Sequence, residues 1–425
     1  MSSVPAVLTD LDQRHLISQS TDRDALAALF AAGPVTYYCG FDPSAPSLHI
    51  GNLVQILTLR RLQQAGNLPL ALVGGATGLI GDPKMTGERT LNDPEIVAGW
   101  VERIRSQIAP LLDFEGKYAA RMVNNLDWTA PLSAIDLLRG VGKHFRMSTM
   151  LAKETVARRL ASDQGISFTE FSYQVLQGMD FRELYRRYGC RLQTGGNDQW
   201  GNLLAGVELI HKAEGATAHA FTTPLITKAD GTKFGKTETG TVWLDPAMCT
   251  PYAFYQFWLN QDDRDVVGYL KVFTFRSLEQ IAELEQATNE RPHERAAQRA
   301  LAWDVTALVH GEAAAQGAVD AAQALFGQGD LARLDLPTLE AAIDGLPDVV
   351  VPATDPAPTV VDLLVGTQLE KSKGAARRTL ASGGVYLNNQ KVTDPEAAVP
   401  ADVWLHGQYA IVRRGRKTLA VAKRV

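Results

Sequence analysis

The chain has 425 residues, 45% of them hydrophobic and 21% charged, with 3 cysteines and a formal net charge of −5. That balance excludes a disordered chain, a collagen and a disulfide-stapled mini-domain, and the length suits two or three domains. Cys39, Cys190 and Cys249 are too scattered for a disulfide framework. The composition reads as a soluble cytoplasmic protein with no signal peptide and no membrane span.

Taken in chain order, Val35 to Cys39 is a short apolar run that predicts a strand. A helix follows from about Leu48 to Ala65, with Ser47 as its cap and Gly66 as its stop. Leu68 to Val73 predicts a second strand, ending in the glycine-rich run Gly74 to Asp82. Strand, helix, strand with glycines at the strand ends implies a parallel α/β sheet whose ligands bind past the carboxyl ends of its strands. Tyr173, Gln177 and Asp180 recur at i, i+4 and i+7, one face of a helix. Phe168, Phe171 and Phe181 read as keeping that region from solvent. Residues 251–345 are rich in Ala, Leu, Glu and Gln, with apolar spacing such as Leu278, Ile281 and Leu284, and predict a helical domain. Residues 346–358 hold Pro347, Pro352, Pro356 and Pro358 and read as a semi-rigid linker. The remainder predicts a helix over Ser372–Leu380, a hairpin turning at Asn388-Asn389 and a strand over Tyr409–Val412. From Lys371 onward there are 11 Lys or Arg and 3 acids, a local balance of +8 that leaves −13 for the rest. A basic tail on an acidic body suits a polyanion, most often nucleic acid.

Besides that Tyr173–Asp180 face, two stretches carry chemistry. Asp42-Pro-Ser-Ala-Pro-Ser-Leu-His-Ile-Gly-Asn52 lies at a helix start, where backbone N–H groups and the helix dipole favour anions. Gly51 lets a flat ring approach, and His49 can donate to a phosphate oxygen, although a histidine there is also an ordinary cap. Lys228 to Thr237 is one residue out of register for a Walker loop, because Asp230 holds its glycine position, so that reading fails. Lys233-Phe-Gly-Lys-Thr237 sets two lysines on a glycine-containing loop that can close over a triphosphate.

Pro43 to Asn52 resembles the HIGH signature of class I aminoacyl-tRNA synthetases, with Asn52 in place of the last histidine. Lys233 to Thr237 resembles their KMSKS loop, and Gly196-Asn-Asp-Gln-Trp-Gly201 is similar to a GGSDQWGN stretch. With Tyr38, Asp82, Tyr173, Gln177 and Asp180, the chain resembles the bacterial tyrosyl-tRNA synthetase family over nearly its whole length. The resemblance implies a Rossmann-like catalytic domain at 1–250, an α-helical anticodon-side domain at 251–345 and an S4-like RNA-binding domain at 359–425. Tyr38 and Asp180 would hold the phenolic hydroxyl of tyrosine, and Asp82, Tyr173 and Gln177 its α-ammonium. Cys39, Gly51 and Asn52 would lie along the adenosine, Gly196 and Asp198 at the ribose, and Gln199 at the carboxylate and α-phosphate. Ser44, His49, Arg89, Lys233 and Lys236 would surround the pyrophosphate, with Gly40 and Thr237 completing the ATP set. His49, Gln199, Lys233 and Lys236 are the expected catalytic groups. Cys39 reads equally as a small buried hydrophobe, and Trp200 as packing. Lys371, Lys373, Arg377, Arg378, Arg413, Arg414, Arg416 and Lys417 would meet RNA. The implied partners are tyrosine, ATP with Mg2+ and tRNA(Tyr), on a homodimer with no tightly held metal. The loop from Pro83 to Arg89 is one residue shorter than the usual family version, which leaves the role of Lys84 open. The alternatives are a tryptophanyl-type synthetase, a small-molecule adenylyl transferase and a non-catalytic, synthetase-derived RNA-binding protein.

Overall fold

Apolar runs such as Leu68-Pro-Leu-Ala-Leu-Val73 lack the alternation of a one-sided sheet and suit strands covered on both faces. In the computed structural model, which describes all residues except 1–4, 85–86, 233, 238–239, 327–328, 353–356, 397 and 416–417, they form such strands. β1 (Gln19–Ser20), β2 (Thr36–Phe41), β3 (Leu68–Val73), β4 (Arg121–Asn124), β5 (Leu192–Gly196) and β6 (His219–Thr223) make one sheet, in the order β1-β6-β5-β2-β3-β4. Every pairing is parallel except β1 with β6. The chain winds outward from β2 through β3 to β4, then returns to β5 on the other side of β2. The order therefore reverses between β2 and β5, and the crevice past their carboxyl ends is the binding position of such sheets.

Side chains alternate across β2. Tyr38 packs with Leu70, Met179, Phe181 and Leu209 under the helices Phe168–Tyr188 and Trp200–Glu214. Tyr37, on the opposite face, donates its hydroxyl to the Leu59 carbonyl of the helix Ile50–Gln64. That helix starts at His49 and not at Ser47. Nδ1 of His49 accepts the Gly51 N–H and Oδ1 of Asn52 accepts the His49 N–H, each at 3.0 Å, a reciprocal cap. The Ser47 hydroxyl is used elsewhere, donating to the Leu48 carbonyl and accepting the Asp245 N–H. β7 (Lys236–Thr237) and β8 (Gly240–Thr241) form a separate two-stranded ladder.

The chain forms two compact units, Met1–Cys249 with Gln261–Leu301, and Thr250–Asn260 with Ala302–Val425. The helical region expected at 251–345 is thus shared between them. Two arginines account for the part that joins the first unit. Arg14 donates to the carbonyls of Lys271 and Arg276, and buried Arg61 donates to those of Lys271, Val272 and Thr274. Together they satisfy carbonyls left over at the end of the helix Asp263–Phe273.

In the second unit, β9 (Asp348–Val351), β10 (Val385–Leu387), β11 (Gln390–Val392), β12 (Tyr409–Arg414) and β13 (Thr418–Arg424) form a sheet ordered β11-β10-β12-β13-β9. The hairpin turns at Asn388 and Asn389 as expected, with φ of 43° and 67°, the twist that suits a two-residue turn. The expected linker 346–358 needs correction. Its Val349-Val-Val351 run pairs in parallel with β13, because β-branched residues fit a half-buried ladder better than the flanking prolines fit a spacer. One face of this sheet packs Val412 and Val385 against Val360, Leu363 and Leu380. The other packs Ile411 and Val421 against Ala321, Leu325 and Leu339. Among the described residues no helix is long and apolar enough to cross a membrane.

Candidate active site

The helix Phe168–Tyr188 is delimited by Ser167, whose Oγ accepts the Glu170 N–H at 3.3 Å, and by Gly189 at φ 65°. Asp180 on it is 2% exposed, and its carboxylate accepts from Asn125 Nδ2 at 3.0 Å and Trp128 Nε1 at 2.8 Å. Tyr38 lies nearby at 1% exposure, its ring 5.2 Å from that of Phe181. Among the described residues its buried hydroxyl has no hydrogen-bond partner. Burial, and then the charge of Asp180, push the Tyr38 phenol well up, so it stays neutral. A buried hydroxyl without a partner is costly, and a second hydroxyl placed between it and Asp180 would relieve that cost. Of the three phenylalanines expected to shield this region, Phe181 is fully buried but Phe168 is 77% exposed. The cause is position: Phe168 opens the helix and points out of its first turn.

Burial raises Asp180 to about 7 against the opposing pull of Asn125 and Trp128. A carboxyl raised above its unfolded value supports the fold in acid and withdraws that support as pH rises through about 7. We expect the melting temperature of the ligand-free protein to fall between pH 5 and pH 8, and Asp180→Asn to flatten that slope. Identical slopes in the two proteins, read by thermal melts across that range, would exclude this origin.

A second cluster forms around two further carboxylates. Tyr173 Oη donates to Asp42 Oδ2 at 2.6 Å, and Thr77 Oγ1 donates to Oδ1 at 2.7 Å. Gly74 permits this: a Cβ there would stand 2.1 Å from Asp42 Oδ1 and 2.3 Å from Thr77 Oγ1. Asp82 accepts from Gln199 Nε2 at 2.9 Å and Asn202 Nδ2 at 3.3 Å, with Lys153 Nζ at 3.9 Å. Lys153 also donates to Asn202 Oδ1 at 2.7 Å. Gln177 Oε1 is buried and, among the described residues, without a partner. Desolvation, and less strongly the neighbouring Asp82 charge, raise Asp42, so added positive charge is favoured here. An ammonium group fits that need.

Sequence reasoning did not assign Asp42, Thr77, Asn125, Trp128, Lys153 or Asn202. Asp42 opens the motif already singled out, and Asn202 lies one helical turn beyond Gln199, so both carried a signal. Asn125 and Trp128 carried none, since only the packing of β4 beside β3 brings their segment to Asp180.

The nucleotide motifs meet at the start of the helix Ile50–Gln64. A β-bridge joins His49 to Trp243, the Leu244 N–H reaches the Leu48 carbonyl at 2.8 Å, and the Val242 N–H reaches that of Gly235 at 3.0 Å. This sets the base of the lysine loop beside His49. Lys233, and the side chains of Lys236 and Thr237, lie outside the described residues. Ser44 and Asp198 are exposed near the crevice, as are Gly40 and Gly51, and Gly196 ends β5. Arg89 Nε donates to the Asp82 carbonyl at 2.8 Å. Lys84 is exposed. Cys39 departs from the set: its thiol is buried near Gln55 Oε1 and burial pushes it up to about 12, the small packed side chain of the alternative reading.

This reversal-point crevice, with an anion-favouring helix start beside a lysine loop, defines a class I aminoacyl-tRNA synthetase. Residues 31–327 match the model of "tRNA synthetases class I (W and Y)", and residues 338–422 match the "Tyrosine--tRNA ligase SYY-like C-terminal domain". The tyrosine–tRNA ligase of Streptomyces avermitilis is 64% identical over 98% of both chains, and that of Acidothermus cellulolyticus is 58% identical over 98% of this chain and 99% of that one. The chain belongs to the tyrosine–tRNA ligases. Among solved structures, a truncated mitochondrial tyrosyl-tRNA synthetase of Coccidioides posadasii is 33% identical, with a TM-score of 0.66 over 73% of this chain and 90% of that one. A tryptophanyl-tRNA synthetase of Encephalitozoon cuniculi, bound to tryptophan, shares the fold at a TM-score of 0.56 and 15% identity, over 80% and 94%.

Proposed function

We propose that this crevice activates tyrosine with ATP and that the same chain then passes the tyrosyl group from the adenylate to a terminal ribose hydroxyl of tRNA(Tyr), breaking the acyl–phosphate bond and releasing AMP. The observation that carries the residue assignment is the buried Tyr38 hydroxyl beside Asp180, without a partner among the described residues. Tyr38 and Asp180 grip the phenol, and Asp82, Tyr173 and Gln177 hold the ammonium, with Asp42 anchoring Tyr173. The tyrosine carboxylate attacks the α-phosphorus and the bond to pyrophosphate breaks. An ionised carboxylate needs no general base, so alignment and charge stabilisation supply the rate. Gln199, hydrogen-bonded to Asp82, steers that carboxylate. Gly40, Gly51, Asn52, Gly196 and Asp198 are assigned to the adenosine, and Ser44, His49, Arg89, Lys233, Lys236 and Thr237 to the leaving phosphates. Among the described residues no cluster of three His, Cys, Asp or Glu could hold a metal ion. Mg2+ would arrive with the triphosphate as its counter-ion and would polarise the phosphate oxygens. Pyrophosphate exchange with each amino acid in turn tests the reading: exchange driven as well by tryptophan or phenylalanine as by tyrosine would end it.

For tRNA, the support lies in the exposed cations of the helix Lys373–Ala381 in the C-terminal mixed-sheet domain, which we read as S4-like. Lys371, Lys373, Arg377 and Arg378 are exposed, and the pairs Lys373–Asp362 and Arg377–Glu396 are surface ion pairs that a phosphate can replace. Arg413 leaves the expected set, because it is buried with its guanidinium 4.0 Å from the Tyr386 ring. Arg414 is half-committed, donating to the Leu369 carbonyl at 2.6 Å. Arg416 and Lys417 lie outside the described residues. The double variant Arg377→Glu/Arg378→Glu is expected to leave pyrophosphate exchange intact while lowering kcat/KM for tRNA charging by about tenfold and flattening its salt dependence. Unchanged charging would remove this helix from the RNA surface. Ile135, Leu138, Met147 and Phe168 leave apolar surface of the first unit exposed, which supports a homodimer. Ile135→Asp/Leu138→Asp should sediment as a monomer.

A further inference from the structure

Arg159 and Glu170 form an ion pair at 2.9 Å with exposures of 1% and 2%, and the scheme above gives neither a role. Isolated buried pairs of this kind add little stability, since desolving two charges offsets most of their attraction. Their remaining bonds are specific. Arg159 Nε donates to the Gly165 carbonyl at 2.9 Å, and Nη1 donates to the carbonyls of Lys84 (3.3 Å) and Gly87. Gly87 and Gly165 sit at φ 74° and 62°, a conformation that favours glycine and here accompanies carbonyls turned to one guanidinium. Glu170 Oε1 accepts the backbone N–H of Arg89 at 2.8 Å. Arg89 in turn donates to the Asp82 carbonyl and lies against Gly81, where a Cβ would meet its Cδ at 3.2 Å.

Glu170 stands one turn before Tyr173 on the helix that carries Gln177 and Asp180. The pair therefore ties the segment bearing Asp82 and Arg89 to the helix that grips tyrosine. We propose that Arg159 and Glu170 are positioning residues for adenylate formation: they fix the Arg89 backbone, and with it the guanidinium, relative to the tyrosine subsite. The proposal rests on the reading that Arg89 faces the phosphates. An apolar pair could fill the same volume but could not hold three carbonyls and an N–H.

The double variant Arg159→Met/Glu170→Met removes both charges at once, which is often neutral for stability. It is expected to fold but melt lower, because three carbonyls and the Arg89 N–H lose their partners, and to bind tyrosine within about threefold, yet form adenylate at least about 30-fold more slowly in single turnover. Adding Arg89→Ala to it should cost less than Arg89→Ala costs the wild type, because both act through one group. Glu170→Gln, which keeps an oxygen for the Arg89 N–H but holds it less firmly, should slow the step by about three- to fivefold at unchanged tyrosine binding and carries the test if the double variant does not fold, an unchanged rate overturning the proposal. A double variant with wild-type adenylation, additive losses with Arg89→Ala, or tyrosine binding weakened as much as the rate would overturn the proposal. Should Arg89→Ala alone leave the rate unchanged, the phosphate-site reading fails first and takes this one with it.

Discussion

Asp180→Ala is expected to lower kcat/KM for tyrosine in pyrophosphate exchange by about 10³, close to 4 kcal/mol at 1.4 kcal/mol per decade. The loss has two sources. The substrate hydroxyl loses its acceptor, and Asn125 and Trp128, whose donors point at that carboxylate from 3.0 and 2.8 Å, lose theirs. Sites built to bond a substrate hydroxyl reject the analogue lacking it by about 10⁴–10⁵, this enzyme family being the reference case. The variant should therefore also lose most of its preference for tyrosine over phenylalanine. Thermal melts separate chemistry from folding, since each stranded donor costs about 1–3 kcal/mol of stability. Asp180→Asn, which retains an oxygen, gives a milder comparison. A folded Asp180→Ala enzyme that still prefers tyrosine would move the phenol elsewhere.

Lys236→Ala is expected to behave differently. Single-turnover adenylate formation should fall by about 10²–10³ while tyrosine affinity changes less than about twofold. The strand β7, which carries Lys236, pairs with β8, and Gly235 is tied through Val242 to the chain beside His49. That sets its backbone beside the start of the helix Ile50–Gln64, where the proposed phosphate site lies. A lysine there meets negative charge that grows only as the phosphorus–oxygen bond breaks, so its value lies in the transition state. Equal losses in tyrosine binding and rate would instead describe a residue needed for the fold of the crevice.

How much was legible beforehand depended on whether the signal was local. The turn at Asn388-Asn389 was readable because two adjacent residues at positive φ choose the hairpin themselves. The face formed by Tyr173, Gln177 and Asp180 was readable because helical period alone sets it. His49 shows the limit: the same residue stands in the stretch read as anion-binding and caps its own helix, and only the geometry reveals that Nδ1 is spent on Gly51. Val349 to Val351 failed for the opposite reason, since a distant strand outweighed the nearby prolines.

By itself, then, the order of amino acids determined the parallel sheet, the positions of the His49 and Lys233 motifs in the chain and the helix face that carries Tyr173, Gln177 and Asp180, because each follows from periodicity or from neighbours a few residues apart. Tertiary structure alone decided the rest. Asn125 and Trp128 reach Asp180, Asp42 secures Tyr173, and Arg413 turns inward onto Tyr386 through contacts between separate segments. Burial is what gives those contacts their weight: a polar atom removed from water must find its partner wherever the fold provides one.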